Sequence, residues 1–201
     1  MKIGPKYKIA RRLGANIFDK TQTAKFALRT QNKKTKGRPK AQTDFGIQML
    51  EKQRVRFFYG LGERQFSKYV KQIIHAGTDK PSEGLHQKLE SRLDNVVYRM
   101  HLAPTRQAGR QMVGHGHILV NGKKTDIPSF GVSVGDVITV RAGSRKSPLF
   151  TNLKEKLKDE IPASWIAFDP EKIEAKILRK PDGVAEKSLF DLSQVLEFYK
   201  R

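Results

Sequence analysis

The chain has 201 residues and no cysteine, and its 40 Lys and Arg against 20 Asp and Glu give a formal net charge of +20. That length bounds it at one to two domains with a modest core, and the missing cysteines exclude disulfides and thiolate metal sites and fit a cytoplasmic setting. No apolar run approaches the roughly 18 residues of a membrane span, and no apolar block behind the first charges reads as a secretory signal.

A field this positive favours polyanions, and its distribution narrows the question. Residues 1–40 carry 13 basic residues and 1 acidic, a net of +12. The nets of residues 41–90, 91–147 and 148–201 are +2, +6 and 0. Two segments are therefore expected to meet the polyanion and two mostly not. An anionic membrane surface is a polyanion too, but no long basic amphipathic helix ending in Trp or Phe is present to lie on it.

In chain order, residues 1–42 read as a basic arm. Its apolar residues (Ile3, Ile9, Leu13, Ile17, Phe18, Phe26, Leu28) are too sparse to pack alone, so ordering on the partner is expected. Lys33, Lys34, Lys36, Arg38 and Lys40, punctuated by Gly37 and Pro39, form an extended basic loop. From Thr43 the spacing becomes helical, with Ile47, Leu50, Val55 and Phe58 on one face, then Phe66, Val70, Ile73 and Ile74, ending at Gly77. Ser82 is placed to cap a helix that continues through SRLDNVVYRM, whose apolar face is Leu85, Leu89, Leu93, Val96, Val97 and Met100.

Pro104 closes that helix and Thr105 is the expected N-cap of the next. In it Ala108, Met112 and Val113 face inward, while Arg106 and Arg110, four apart, share the outer face at a spacing that suits neighbouring phosphates. Gly114 and Gly116 break the helix, Ile118 and Val120 alternate as a strand, and Asn121-Gly122 is a hairpin turn that places Lys123 and Lys124 at its rim. A further strand holds Val137, Thr139 and Arg141. Leu149, Leu153 and Leu157 mark a helix stopped by Pro162, and Trp165 to Phe168 and Lys172 to Arg179 read as two more strands, the second alternating Ile173, Ala175 and Ile177 with charges. Leu189, Leu192, Val195, Leu196 and Tyr199 return to helical spacing. The fold class is α+β: a basic N-terminal arm (1–42), a helical domain (43–90, completed by 181–201) and an inserted module of helices on a small antiparallel sheet (91–180).

Catalytic chemistry finds little support. His115-Gly116-His117 is the one close histidine pair, with no thiol or carboxylate beside it to complete a metal site, so these imidazoles start a strand near the polyanion or are simply solvated. Gly122-Lys123-Lys124-Thr125 resembles the end of a phosphate loop, but His117 stands where its first glycine would be. Asp94, Asp126 and Asp136 read as cap, salt-bridge and turn residues. No metal or cofactor is expected. A DNA-binding reading lacks a recognition helix followed by dimer signals, and an RNA-modifying enzyme would need a second catalytic domain for which the split helical part is too short.

SRLDNVVYRM followed by TRQAGRQMVGHGHILVNGKKTDIPSFGVSVGD closely resembles the RNA-binding module of the bacterial small-subunit ribosomal protein four family. GPK near the start, DFGIQMLEKQ, VRFFYG, ERQFSKY, the Trp165 segment and the closing VLEFYKR resemble the same family in order, so the likeness runs over nearly the whole chain. The resemblance implies a structural, non-enzymatic protein. It implies direct binding of small-subunit ribosomal RNA early in assembly, contact with neighbouring small-subunit proteins, a place near the mRNA entry channel and an influence on decoding accuracy. Tyr7 and Ala10 stand where zinc-binding members carry their first two cysteines, so this is a zinc-free form, and NKKTKGRPK replaces the PGQHG stretch of many members. The candidate RNA contacts are Arg92, Arg99, Arg106, Arg110, His115, His117, Lys123 and Lys124 in the module, and Arg11, Arg12, Lys33, Lys34, Lys36, Arg38 and Lys40 in the arm. Tyr7, Phe18 and Tyr69 are candidates to stack on bases, with a core role open for the last two.

Overall fold

A computed structural model describes residues 3–14, 17–31, 43–145, 147, 150, 162–182 and 190–201. The basic run Lys33 to Lys40 and the helix expected around Leu149, Leu153 and Leu157 lie outside the described residues. Those described form eight α-helices and one five-stranded antiparallel sheet, and the α+β class is borne out. The chain divides into two compact units, residues 1–85 with 183–201, and residues 86–182.

In the first unit, α1 (Lys6–Leu13) and α2 (Ala24–Gln31) are joined by a single turn of 3-10 helix. Ala10, Leu13, Ile17, Phe18 and Phe26 are buried together against Leu50, Phe57 and Phe58 of α3 (Asp44–Phe58). For the described residues of the arm this corrects the expectation of ordering only on a partner: their apolar residues are few, and α3 supplies the rest of their core. Arg54 of α3 donates through Nε to the Leu13 carbonyl at 2.7 Å, filling an acceptor that the end of α1 leaves open. Thr43 caps α3, its Oγ1 accepting from Gly46 N at 3.2 Å.

The buried stripe of α3 also differs from the expected one. Gln48, Glu51, Lys52 and Val55 are buried, whereas Ile47 is 40% exposed. The period is helical, but polar partners rather than hydrophobicity select the face. Glu51 pairs with Arg54 and accepts from Asp191 N at 3.2 Å. Lys52 reaches Glu63 at 2.9 Å and lies 4.5 Å from the centre of the Phe198 ring. Glu63 opens α4 (Glu63–His75), and Phe198 lies on α8 (Leu192–Lys200), so one buried lysine ties three helices. α5 (Pro81–Glu90) starts at its proline, a favoured first helical position, and Ser82 sits inside its first turn rather than capping it.

In the second unit, α6 (Leu93–Arg99) and α7 (Arg106–Gly114) cover a sheet of β1 (Ile118–Val120), β2 (Lys123–Lys124), β3 (Val137–Val140), β4 (Ile166–Asp169) and β5 (Glu174–Ile177). Its strand order is β2-β1-β3-β5-β4, with Val120 opposite Ile138, Ile138 opposite Ala175, and Ile166 opposite Ile177. These inward residues join Leu93, Val96, Val97, Met100, Met112 and Val113 in one buried core. The Asn121-Gly122 turn has φ of 51° and 76°, the two left-handed positions that the preferred two-residue hairpin requires.

SRLDNVVYRM is not one helix. The chain is extended at Arg92 (φ −70°, ψ 136°) and forms a bridge with Gly131. Leu93 N then donates to the Phe130 carbonyl at 2.9 Å and Asp94 N to that of Pro128 at 3.1 Å, so the 128–130 loop satisfies amides that open α6.

Glu63 carries a testable consequence for pH. Burial alone would raise its carboxyl pKa, but hydrogen bonds from Lys52 and Tyr199 and the charges of Lys52 and Arg56 outweigh that and hold it below the ordinary 4.5. A lowered pKa contributes stability above the ordinary value and loses it as the pH falls through 4.5 toward the lower folded value. Thermal melts of the wild type and Glu63→Gln should differ at neutral pH and converge below pH 4.5. A gap that persists into acid would contradict this assignment.

Candidate nucleic-acid interface

The expected reading surface is the pair α6 and α7. Thr105 caps α7 as expected, its Oγ1 accepting from Ala108 N at 3.1 Å. The two helices pack closely because Gly109 has no side chain: a β-carbon there would lie 2.6 Å from the Asp94 carbonyl oxygen. Backbone cannot yield as a flexible side chain would, so only glycine fits this crossing.

The guanidiniums around this crossing are held from inside the protein. Asp94, 2% exposed, accepts from Arg92 Nη2 at 2.7 Å and from Arg110 Nε at 2.8 Å, both on Oδ2. Arg92 Nε also donates to Asp94 Oδ1 at 3.1 Å, and Arg92 is itself 2% exposed. Glu90, 1% exposed, accepts from Arg99 Nε at 2.8 Å and from Asn95 Nδ2 at 2.9 Å. Asn95 Oδ1 in turn accepts from Arg106 Nε at 2.7 Å, and the Arg106 guanidinium lies 4.4 Å from the centre of the Tyr98 ring.

The shared outer face of Arg106 and Arg110 is thereby corrected: both are half-buried and engaged, Arg110 by the buried Asp94 and Arg106 by Asn95, which itself donates to the buried Glu90. Arg92 is buried, and Arg99 is held against Glu90. Asp94 does act as a salt-bridge residue and Asp136 as a turn residue, its Oδ2 accepting from Ser133 N at 2.7 Å.

The other expected contacts are more open. Arg11 and Arg12 are exposed in the last turn of α1, and Lys123 and Lys124 on β2. His115 is exposed at the end of α7, while His117 is half-buried with Nδ1 2.9 Å from Ser144 Oγ. Of the aromatic candidates, Phe18 and Tyr69 are core residues and Tyr7 is 47% exposed. Sequence pattern missed two exposed arginines just beyond β3, Arg141 and Arg145. The short basic run RAGSRK, following the last inward residue of that strand, was the available signal. Among the described residues no group of His, Cys, Asp or Glu could hold a metal ion, and no helix is long and apolar enough to cross a membrane.

Residues 1–90 match the family model described as the ribosomal protein S4/S9 N-terminal domain, and residues 91–138 match that of the S4 domain. The chain is 38% identical over 207 residues to small ribosomal subunit protein uS4 of Aquifex aeolicus (strain VF5), covering 99% of this chain and 98% of that one. It is 40% identical over 200 residues to protein uS4B of Clostridium acetobutylicum, with 99% and 97% covered. A uS4 of Herpetosiphon aurantiacus is 41% identical over 207 residues, with 98% of each chain covered. The chain belongs to the uS4 family. It is thus a structural protein and not an enzyme, and the resemblance read from its motifs is confirmed. The two uS4 family matches meet at Ser91, the point where α5 ends and the chain extends before α6.

The buried pairs give stability predictions. Asp94→Ala removes the buried carboxylate that accepts from both Arg92 and Arg110, a loss expected at about 3 to 5 kcal/mol by chemical denaturation. Arg106→Glu with Arg110→Glu puts a carboxylate against Asp94, so its melting temperature should fall well below the wild type's. An unchanged melting temperature in the double reversal would mean that these arginines are free solvent-facing groups.

Proposed function

We propose that this protein is a structural constituent of the small ribosomal subunit that binds small-subunit ribosomal RNA directly and helps nucleate assembly. The observation that carries the reading is a set of exposed cations, Arg11 and Arg12 on α1 and Lys123 and Lys124 on β2, that have no ion-pair partner among the described residues, on a chain of net charge +20. Relatives named small ribosomal subunit protein uS4, matched over nearly their whole length, supply the ribosomal context.

A-form RNA presents phosphates and a shallow minor groove, so a protein contacting it through Lys and Arg reads shape and backbone more than base edges. Specificity then comes from the fold of the RNA. The finer parts of the role, proximity to the mRNA entry channel, contact with neighbouring small-subunit proteins and an influence on decoding accuracy, are carried by the family resemblance, as is a cytoplasmic location on the ribosome. The arm residues Lys33, Lys34, Lys36, Arg38 and Lys40 belong to the proposed contact set, as do His115 and His117. No cofactor, metal or membrane enters the proposal.

Binding to an in vitro transcript of small-subunit ribosomal RNA should be stronger than to transfer RNA or to a DNA duplex of equal length. For roughly 6 to 10 phosphate contacts, affinity should fall about 10³- to 10⁵-fold between about 50 and 200 mM salt. A flat salt dependence, or equal affinity for all three nucleic acids, would contradict the proposal.

A further inference from the structure

Two sets of cations in the second unit contrast. Arg92, Arg99, Arg106 and Arg110 are engaged by Asp94, Glu90 and Asn95. Lys124, Arg141 and Arg145 are exposed, and among the described residues none of them pairs with a carboxylate.

The fold gathers Lys124, Arg141 and Arg145 at one place. Arg141 N donates to the His117 carbonyl at 2.8 Å, which sets the start of the 141–145 segment beside β1. Ser144, in that segment, meets His117 Nδ1 at 2.9 Å, and the His115 and His117 rings are 5.9 Å apart. Lys124 crosses from the hairpin so that its chain lies over Gly116, filling the space a β-carbon would need. Arg145 Nε donates to the Val140 carbonyl at 3.2 Å, tethering that guanidinium at the end of β3 while leaving it exposed. Three chain segments thus bring three cations and two imidazoles around residues 115–117.

Like charges collected with no paired acid among the described residues repel one another. A phosphate approaching Arg110 competes with Asp94 for the same N–H groups. Among the described residues, Arg141 pairs with no carboxylate that an approaching phosphate would have to displace. Charge-assisted hydrogen bonds to phosphate are therefore more readily formed at the second place.

We infer that Lys124, Arg141 and Arg145, with His115 and His117, form a phosphate-backbone site for RNA, that Arg141 and Arg145 are contacts of their own in it, and that this end of the sheet makes the unit's main RNA contact while the α6–α7 arginines act as its scaffold. The inference rests on the RNA-binding reading above.

The test uses the full chain and the same ribosomal RNA transcript, with Lys124→Ala, Arg141→Ala and Arg145→Ala combined. Affinity should fall at least about tenfold, and the slope of log affinity against log salt should shrink by about one per residue removed, with the unfolding transition unmoved. Arg141→Lys with Arg145→Lys keeps the charges and should keep the slope. Should the triple variant fail to fold, Arg141→Ala and Arg145→Ala singly carry the test, each expected to lower the slope by about one. A folded variant that matches the wild type in affinity and slope would overturn the site and leave it to some other partner, such as an acidic protein segment. If the wild type itself shows no salt-dependent RNA binding, the RNA reading falls first and this site falls with it.

Discussion

Asp94 is the residue on which the second unit turns. A carboxylate buried to 2% exposure is costly unless its oxygens are filled, and it draws Arg92 from its own chain neighbourhood and Arg110 from a helix sixteen residues away. Arg92 must leave the helical path to reach it, so the chain extends there and pairs with Gly131. Arg110 must approach from α7, so α7 crosses close to α6 and position 109 cannot carry a side chain. One buried charge thus accounts for a helix break, a helix crossing and the direction of a guanidinium. Glu90 repeats the pattern one turn earlier through Arg99 and Asn95, and Asn95 extends it to Arg106.

This constraint sorts the basic residues into two roles that a charge count cannot separate. Residues 91–147 have nine basic residues and a net charge of +6, and by composition every one is equally available to a polyanion. In three dimensions the three acids of that segment are unequal. Asp94 engages two arginines, Asp136 serves a turn, accepting from Asn121 Nδ2 at 2.8 Å, and Asp126 is exposed. The arginines consumed are those nearest in space to a buried acid, and they are the ones whose helical spacing makes them most conspicuous in the sequence.

Legibility followed the range of the interaction. The caps Thr43 and Thr105, the Asn121-Gly122 turn and the period-two strands are decided within a few residues, and they were readable. The break at Arg92 depends on a loop almost forty residues downstream, and no local signal marks it. The packing of α1 and α2 depends on Leu50, Phe57 and Phe58, so a composition window over the first forty residues understates the core available to them. Ile173 is an intermediate case. Its alternation with Ala175 and Ile177 correctly put it in the core, yet it sits before β5 at φ 53°, an unusual backbone for a β-branched residue, which burial to 5% exposure maintains. Within the interface, the hairpin lysines were legible from the turn, whereas Arg141 and Arg145 acquire interest only once β3 returns them to His117.

The same rule governs the first unit with the sign exchanged. There the buried stripe of α3 contains a lysine, and Lys52 is satisfied by Glu63 and by the faces of Phe198 and Tyr199. Burial and the hydrogen bond to Glu63 raise the Tyr199 phenol well above its ordinary range, so it remains a neutral donor to that carboxylate. Glu63 is thereby filled from α3 and α8 while it opens α4, where a negative charge also suits the helix N-terminus. In both units a buried charge recruits opposite charge from distant segments and fixes how helices meet. It is the exposed cations with no acid partner among the described residues, more than the total of 40 Lys and Arg, that an RNA backbone would encounter.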